Sequence, residues 1–182
     1  MHNAKKGIVV KMKEKMLLMQ ADVSELKSVE KLYKSVRGQK GCVWNEEYPT
    51  FADIENDFKA GCLYVFARGG EIIGAASVVP ENELDDLDCF SVKDGTHLEI
   101  ARVVIARQYQ GNGYSEKMLA QLFAVLYDKG CRSVHLLVIR DNHAAIKTYR
   151  KLDFSFLGEC SRYGHDYFIC EKLLGKPRLE LF

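Results

Sequence analysis

The chain has 182 residues, of which 47% are hydrophobic and 28% charged, and its formal net charge is +1. This length favours one domain with a proper core, and the balanced charge argues against broad electrostatic attraction to nucleic acid or to an anionic membrane. No apolar run approaches the ~20 residues that a membrane span needs, and the run at 8–10 is too short for a signal-peptide core, so we expect a cytoplasmic protein.

Residues 1–15 mix lysine and methionine without a clear period and are interpreted as an N-terminal extension, which leaves 16–182 as one domain. The domain begins with a predicted strand at 16–20. Asp22, or the serine two residues after it, can cap a first helix in which apolar residues recur at helical spacing. Thr50 can cap a second, shorter helix, and glycines end both helices.

The rest of the chain alternates strands and helices. Further strands are predicted at 63–67, 72–79, 97–105, 134–139, 154–160 and 167–173. Amphipathic helices follow the third and the fourth of these strands. An acidic loop at 81–88 is interpreted as a solvated segment. The order β-α-α-β-β-β-α-β-α-β-β contains no internal repeat and predicts a single α/β domain, a mixed and mostly antiparallel sheet flanked by about four helices.

Six cysteines raise the question of disulfides or a metal site. They stand at positions 42, 62, 89, 131, 160 and 170, with no C-x-x-C pair and no compact cluster with histidine. Most of them lie within apolar stretches, where a free cysteine packs as a small hydrophobe. We therefore expect reduced thiols in or near the core, and no metal.

A glycine-rich turn separates the long strand at 97–105 from the helix after it. Glycines at 111 and 113 let backbone N–H groups approach an anion without obstruction by side chains, and the helix N-terminus adds partial positive charge. A phosphate or pyrophosphate is the natural ligand of such a turn. Two glycines at this place often make only a turn, however, and neither the P-loop pattern nor the dinucleotide-binding glycine pattern is present.

Two longer motifs make the interpretation specific. The strand at 98–105 and the turn at 109–113 resemble motif A of the GNAT superfamily of N-acetyltransferases, written Q/R-x-x-G-x-G/A. The fixed places of that motif fall on Gln110, Gly113 and Ser115. Further along, 142–154 resembles motif B, N-x-x-A-x-x-x-Y-x-x-x-G-F. Both motifs lie on the expected elements and in the expected order, and the resemblance covers about residues 16–174.

Three positions depart from the family pattern. Ser115 replaces the usual glycine or alanine at the end of motif A, and its small hydroxyl can donate to a phosphate. Asp153 replaces the glycine before Phe154, and we expect the turn to survive because aspartate adopts left-handed backbone angles more readily than most residues. Arg107 stands where proline is common, which costs only some stiffness of the loop.

The resemblance implies direct transfer of an acetyl group from acetyl-coenzyme A (acetyl-CoA) to a primary amine of a small molecule or peptide, without a metal. It also implies that two central parallel strands, here 98–105 and 134–139, splay apart to admit the pantetheine. The residues then expected to bind the cofactor are Val103, Val104 and Ile105 through their main chains, Gln110, Gly111, Asn112, Gly113, Tyr114 and Ser115 in the turn, and Asn142 at the next helix.

Tyr149 and Glu99 are the candidate catalytic residues. Tyr149 matches the motif B tyrosine, the usual general acid near the coenzyme A sulfur, but a tyrosine on a helix can also simply fill the core. Glu99 stands where several family members carry a catalytic glutamate, and a carboxylate between apolar neighbours suits a base acting through water. The alternative is an outward-facing carboxylate, or one paired with Arg102. His97, on the same strand face, can substitute for Glu99 or assist it.

The acceptor side is the least specified part of the sequence. The resemblance implies that the first two helices and their connection form one wall of the acceptor site, where Trp44, Tyr48 and Glu47 lie. The rings can stack on a substrate and the glutamate can attract a cation, or the rings can anchor the loop on the core. The alternative function is a non-catalytic acetyl-CoA-binding sensor or assembly module. The last hairpin offers an exposed edge for a homodimer, and direct binding of nucleic acid is not expected.

Overall fold

The computed structural model describes residues 15–79, 84, 86–92 and 94–176. Within them, one sheet contains β1 (Met16–Gln20), β2 (Leu63–Arg68), β3 (Glu71–Val79), β4 (His97–Ile105), β5 (Ser133–Ile139), β6 (Ser155–Arg162) and β7 (His165–Leu173). The α-helices are α1 (Leu26–Val36), α2 (Phe51–Lys59), α3 (Tyr114–Asp128) and α4 (His143–Lys151). The predicted order of elements is confirmed, while the N-terminal extension up to residue 14 and residues 81–83 and 85 of the acidic loop lie outside the described residues. Each helix in the described part of the chain is too short or too polar to cross a bilayer.

All neighbouring strands of the sheet are antiparallel except one pair. The strand order is β1-β2-β3-β4-β5-β7-β6. The parallel pair is β4 and β5, because α3 carries the chain from the end of β4 back to the start of β5. The prediction of a mixed, mostly antiparallel sheet is therefore confirmed, and β1 and β6 form the two edges.

Side-chain caps set the starts of the first two helical segments. Asp22 accepts a hydrogen bond from the N–H of Ser24 at 2.9 Å, while Glu25 accepts one from the N–H of Asp22 at 2.8 Å. Thr50 and Asp53 form the same reciprocal arrangement at the start of α2. Such caps satisfy N–H groups that helix geometry leaves without an acceptor, and each is worth about 1 kcal/mol. The predicted caps at Asp22 and Thr50 are thus confirmed.

The sheet is covered on both faces. α3 and α4 cover one face, where Met118, Leu119 and Leu122 are completely buried. α1 and α2 cover the N-terminal half of the other face, around Val29 and Ile54. The rest of that face, over β5 and β7, is covered by a small cluster formed by Leu84, Phe90 and Ile169. A loop segment, not a helix, therefore closes the sheet beside the C-terminal strands.

The six cysteines are free thiols. Cys62, Cys131 and Cys170 are buried, and Cys42 and Cys160 are partly buried, as the apolar surroundings predicted. Cys89 is exposed, so the prediction of a thiol in or near the core is wrong for this residue. It lies in the loop segment that precedes β4 and not in a strand or helix.

A β-bulge interrupts β4 at Arg102. The register against β3 shifts between Ala75 and Ser77, and Arg102 takes a φ of 53°, which is costly for a residue with a β-carbon. A buried ion pair holds this conformation, since Nη2 and Nε of Arg102 lie 2.7 and 2.8 Å from the Asp57 carboxylate on α2. Ser77 donates a further hydrogen bond to Asp57 at 2.5 Å. Arg102 is therefore paired with α2 and not with Glu99, which removes one alternative for that glutamate.

Replacing Asp57 with asparagine tests this ion pair, because it removes the compensating charge and keeps nearly the same shape. Breaking a buried pair from one side leaves the other charge uncompensated, so we expect the free energy of unfolding, measured in urea, to fall by about 3 kcal/mol. Lys34→Ala, which removes an exposed pair with Glu30 on α1, is the control and should cost less than ~1 kcal/mol. Equal losses would mean that the buried pair contributes no more than a surface pair.

Candidate active site

The parallel strands β4 and β5 part soon after they begin. Their ladder has three residue pairs in the described residues and ends where Glu99 lies opposite His135. Beyond that point β4 continues to pair with β3, as at Ile105 opposite Gly74, and β5 continues to pair with β7. The edge of β4 that faces the gap, including the main chain of 103–105, can therefore accept an extended chain in the manner of an added strand. The splay predicted from the resemblance is present.

The glycine turn, residues 110–115, lies after β4 and leads into α3. Gly111 and Gly113 have φ angles of 76° and 73°, which glycine adopts at little cost. A β-carbon built at either position would meet no atom within 4 Å, so the space beside the turn is open. Gly113 is the N-cap of α3 and offers no side-chain cap, so the first N–H groups of the helix are open to an anion and the helix dipole favours one there. The turn can therefore accept an anion such as a phosphate group.

Two side chains of the glycine turn, those of Gln110 and Asn112, form hydrogen bonds that stabilise its conformation. Gln110 donates from Nε2 to the Ile105 carbonyl at 3.0 Å and to Oε1 of Gln39 at 3.2 Å. Asn112 donates from Nδ2 to the carbonyls of Tyr109 and Gln110, at 3.3 and 2.9 Å. Because both amide side chains are engaged with the protein, the main-chain N–H groups of the turn are the donors that it can offer to an anion.

Two departures from the family pattern have local explanations. The Ser115 hydroxyl oxygen lies 3.4 Å from Oγ1 of Thr148, so this side chain joins α3 to α4. Asp153 has a φ of 59°, which confirms the left-handed conformation expected of the residue that replaces glycine. Phe154, next in the chain, is buried, and its ring centroid lies 5.9 Å from that of Phe123. The corner after α4 thus keeps its shape without a glycine.

Asn142 begins α4 on the β5 side of the gap. Its Oδ1 accepts a hydrogen bond from the N–H of Ala145 at 3.1 Å, an N-cap contact. The loop between α1 and α2 passes directly over this residue, since a β-carbon at Gly41 would lie 2.6 Å from Cα of Asn142. Gln39 of the same loop contacts Gln110. The loop therefore reaches from the glycine turn on one side of the gap to the start of α4 on the other.

Glu99 and His97 lie on the face of the sheet that is opposite α3 and α4. Leu98 and Ile100 pack in the core beneath those helices, so the alternation of the strand directs Glu99 and His97 to the other face. Both residues are partly buried, and the His97 ring stacks on that of His135 with centroids 4.8 Å apart. Glu99 therefore lies at the point where the two strands part.

Tyr149 of α4 belongs to the core on the face of the sheet that α3 and α4 cover. It is 6% exposed and belongs to the same core cluster as Val134 and Leu136 of β5. Burial, with a smaller contribution from Cys170, raises the pKa of the Tyr149 phenol above its usual value, so the group stays protonated through the neutral range. Tyr149 and Glu99 thus lie on opposite faces of the sheet, and Glu99 stands where the β4–β5 ladder ends.

The three candidate acceptor residues have different surroundings. Trp44 packs on Tyr33 of α1 with ring centroids 5.0 Å apart, so it anchors the loop on the core. Tyr48 is 44% exposed, and its hydroxyl accepts a hydrogen bond from Nη1 of Arg102 at 3.0 Å, beside the bulge of β4. Glu47 is exposed to solvent. Tyr48 and Glu47 are therefore accessible to a substrate.

Three buried residues with ionisable side chains were not among the predicted site residues, namely Asp57, His135 and Glu171. Asp57 lies one turn from Ile54 on the buried face of α2, and the other two interrupt apolar strands. A titratable side chain at an apolar position is itself informative, because burying it is costly unless partners compensate. That pattern could have singled out all three residues.

Gly113→Ala tests the glycine turn as an anion site. A methyl group at this position would stand in the open space beside the turn, and the left-handed backbone angle costs ~1 kcal/mol in stability. We expect the Kd for coenzyme A, measured by isothermal titration calorimetry, to rise at least about tenfold. Gly70→Ala is the control, because Gly70 has a φ of 88° and equally open surroundings in the β2–β3 turn. An equal loss of affinity in both variants would contradict the assignment.

Residues 29–154 match the model of the acetyltransferase (GNAT) family. The chain is 31% identical over 107 residues to the spermine/spermidine N(1)-acetyltransferase of Bacillus subtilis strain 168, across 56% of this chain and 64% of that protein. It is 24% identical over 117 residues to the uncharacterized N-acetyltransferase YobR of the same strain, across 64% of this chain and 47% of that protein. The chain thus matches less than two thirds of the length of either relative.

Solved structures share the fold. An acetyltransferase of the GNAT family from Streptococcus agalactiae superposes with a TM-score of 0.76 at 19% identity, covering 87% of this chain and 95% of that one. The putative acetyltransferase yncA from Salmonella typhimurium, solved with acetyl-CoA, gives a TM-score of 0.67 at 19% identity, covering 88% and 95%. Since the family model spans more than half of the chain, from α1 to the corner after α4, the chain belongs to the GNAT family of acetyltransferases.

Proposed function

We propose that the protein is an acetyl-CoA-dependent N-acetyltransferase that transfers the acetyl group directly to a primary amine of a small molecule or peptide. The observation that carries the proposal is the arrangement at the β4–β5 gap. Glu99 offers a carboxylate on one face, Tyr149 offers a protonated phenol on the other, and an open turn before α3 suits an anion. A cofactor site, a proton acceptor and a proton donor are what this reaction requires.

The cofactor would be held mainly by backbone groups. Main-chain groups of 103–105 would pair with the pantetheine amides along the open edge of β4, and the N–H groups of 111–115 would hold the pyrophosphate. Asn142 would contact the cofactor from the β5 side. When bound, acetyl-CoA supplies the activated acetyl thioester.

Glu99 would act as the general base and Tyr149 as the general acid. An amine attacks only as the free base, so an ammonium substrate must first lose a proton, and Glu99 would accept it directly or through a water molecule. Tyr149 would donate to the departing sulfur. Burial raises the pKa of this phenol, so the hydroxyl keeps its hydrogen through the neutral range and can donate a hydrogen bond to the sulfur.

A polyamine is the acceptor that we propose to test first. The Bacillus subtilis relatives named for spermine and spermidine support this choice. In this chain an open pocket of about 520 Å³ lies between residues 41–43, the end of β5 and the β6–β7 turn, and it contains Asp141 and Asp166. Its one arginine, Arg140, is paired with Glu159 at 2.8 Å. The remaining carboxylates would attract the ammonium groups of a polyamine.

Two measurements test the proposal. Acetyl-CoA should raise Tm markedly, whereas NAD should not, because only a bound ligand stabilises the fold. Release of free coenzyme A is then followed with polyamines, amino acids, aminoglycosides and N-terminal peptides, and turnover is expected with spermidine or spermine. Turnover with another amine alone would reject the polyamine acceptor, and a Tm shift without any turnover would favour the non-catalytic acetyl-CoA-binding module.

Tyr149→Phe should lower kcat at least about tenfold and leave the KM for acetyl-CoA unchanged, since it removes the proton donor and keeps the ring. The measurement is steady-state kinetics with the best amine found in the screen. Tyr64→Phe is the matched control, because Tyr64 is a buried tyrosine on β2 whose hydroxyl accepts from Lys129 at 2.9 Å, away from the gap. Unchanged turnover in Tyr149→Phe would leave Tyr149 a core residue only.

Glu99→Gln should depress kcat/KM most at low pH, where the amine carries a proton that glutamine cannot accept. The loss should shrink as the pH approaches the pKa of the amine. The profile is recorded from about pH 6 to about pH 10, a range that includes the ordinary pKa of an alkylamine. Glu30→Gln, on the surface of α1, serves as the control. A loss of the same size at every pH would indicate a structural role for Glu99.

A further inference from the structure

A buried polar pair lies directly beside the point where β4 and β5 part. His135 on β5 is the last ladder partner of Glu99, and Glu171 on β7 lies opposite His135 in the next ladder. The side chains of His135 and Glu171 are 1% and 5% exposed, and Nε2 of the histidine lies 3.2 Å from Oε1 of the glutamate. The mechanism above uses neither residue.

Glu171 is held as a carboxylate. Ser91 donates to it from its N–H and its hydroxyl, Val92 from its N–H, and Ser133 from its hydroxyl, at 2.6 to 3.2 Å. Burial on its own would raise the pKa of Glu171, but these hydrogen bonds outweigh burial and lower it. Because an ionised carboxylate only accepts hydrogen bonds, Nε2 of His135 carries a hydrogen and donates it to Glu171.

The ring of His135 is also fixed in orientation. Phe90 stacks on it with centroids 3.7 Å apart and an interplanar angle of 5°, and His97 stacks on it at 4.8 Å and 15°. The titratable groups on the strands beside the ring are Glu171 on β7 and Glu99 and His97 on β4, while the described residues of the covering segment 90–92 are uncharged.

A purely structural role would be to tie the segment 90–92 to the sheet. Glu171 accomplishes this through its contacts with Ser91 and Val92, without help from the imidazole. A fully buried histidine at this place is costly unless its ring nitrogen is paired, and the same volume could be filled by an apolar side chain. Tying down the segment 90–92 therefore does not explain why a histidine is buried at position 135. Its neighbours on β4, Glu99 and His97, suggest a reason.

We propose that His135, oriented by Glu171, is a positioning residue for the proton-accepting group on β4, and that the charge of Glu171 strengthens this base. The inference rests on the proposed function. The pair lies at the end of the β4–β5 ladder, where Glu99 and His97 emerge on the same face, and it is fixed by hydrogen bonds and by ring stacking. A negative charge behind the ring favours the protonated form of whichever β4 group accepts the proton of the amine.

Glu171→Gln tests the proposal, because it removes the charge and keeps the shape. Loss of a nearby negative charge lowers the pKa of the accepting group, so the acid limb of the kcat/KM profile should move to lower pH by about half a unit or more. The plateau should fall about tenfold while the KM for acetyl-CoA is unchanged. Ser133→Ala is the control, since it removes one hydrogen bond to Glu171 but not the charge, and it should lower Tm and leave the acid limb in place.

Other outcomes would overturn the proposal. The pair would be structural if the acid limb of Glu171→Gln coincided with that of the unmodified chain. The same conclusion would follow if kcat/KM fell by the same factor at every pH. Glu171→Asp, which retains the charge, should leave the acid limb where it is in the unmodified chain. NMR of the histidine-labelled full chain needs no turnover: a His135 ring with its hydrogen on Nδ1 would contradict the proposal, even if every amine fails as an acceptor.

Discussion

The site depends on the early end of one parallel ladder. β4 and β5 exchange hydrogen bonds over three residue pairs in the described residues and then separate, so a sheet that is otherwise continuous contains a gap lined by main-chain groups. The bulge at Arg102 bends β4 beyond this point, and the buried carboxylate of Asp57 holds the bulge against α2. Main-chain groups beyond the end of the ladder can pair with an extended chain in place of the neighbouring strand.

The candidate site residues are distributed over the two faces of the sheet. On one face, α3 begins without a side-chain cap and α4 carries the buried phenol of Tyr149. The first feature suits a pyrophosphate and the second suits a thioester. The other face carries Glu99 and, beside the bulge of β4, the exposed ring of Tyr48. In the proposed reaction, this separation would keep the proton acceptor, Glu99, apart from the proton donor, Tyr149.

Local features of the sequence predicted most of the fold. The limits of β4, the caps at Asp22 and Thr50 and the left-handed angle at Asp153 follow from alternation, capping chemistry and backbone preference, all of which act over a few residues. The pairing of Asp57 with Arg102 joins residues 45 positions apart, and a single sequence contains no local trace of it. The anchoring of the Trp44 ring was likewise one of two alternatives that only tertiary packing could separate.

The buried pair of His135 and Glu171 also shows that a single sequence can predict burial but not the partner of a buried residue. Each residue lies within an apolar strand, and its position alone predicts burial with some partner. The identity of the partner depends on strand order, since β5 and β7 are neighbours in the sheet although α4 and β6 lie between them in the chain. Sequence periodicity indicates which face a residue occupies, but it does not specify which strand lies beside it.

The close approach of Gly41 to the start of α4 couples the position of the loop between α1 and α2 to that of α4. No side chain fits at position 41, because it would overlap the backbone of Asn142 and because the φ of Gly41 is 79°. The wall that carries Trp44, Glu47 and Tyr48 therefore cannot shift inward without moving the corner from which α4 departs. Diversification of acceptor choice in such a scaffold would fall on residues 44–48, while position 41 would tolerate only glycine.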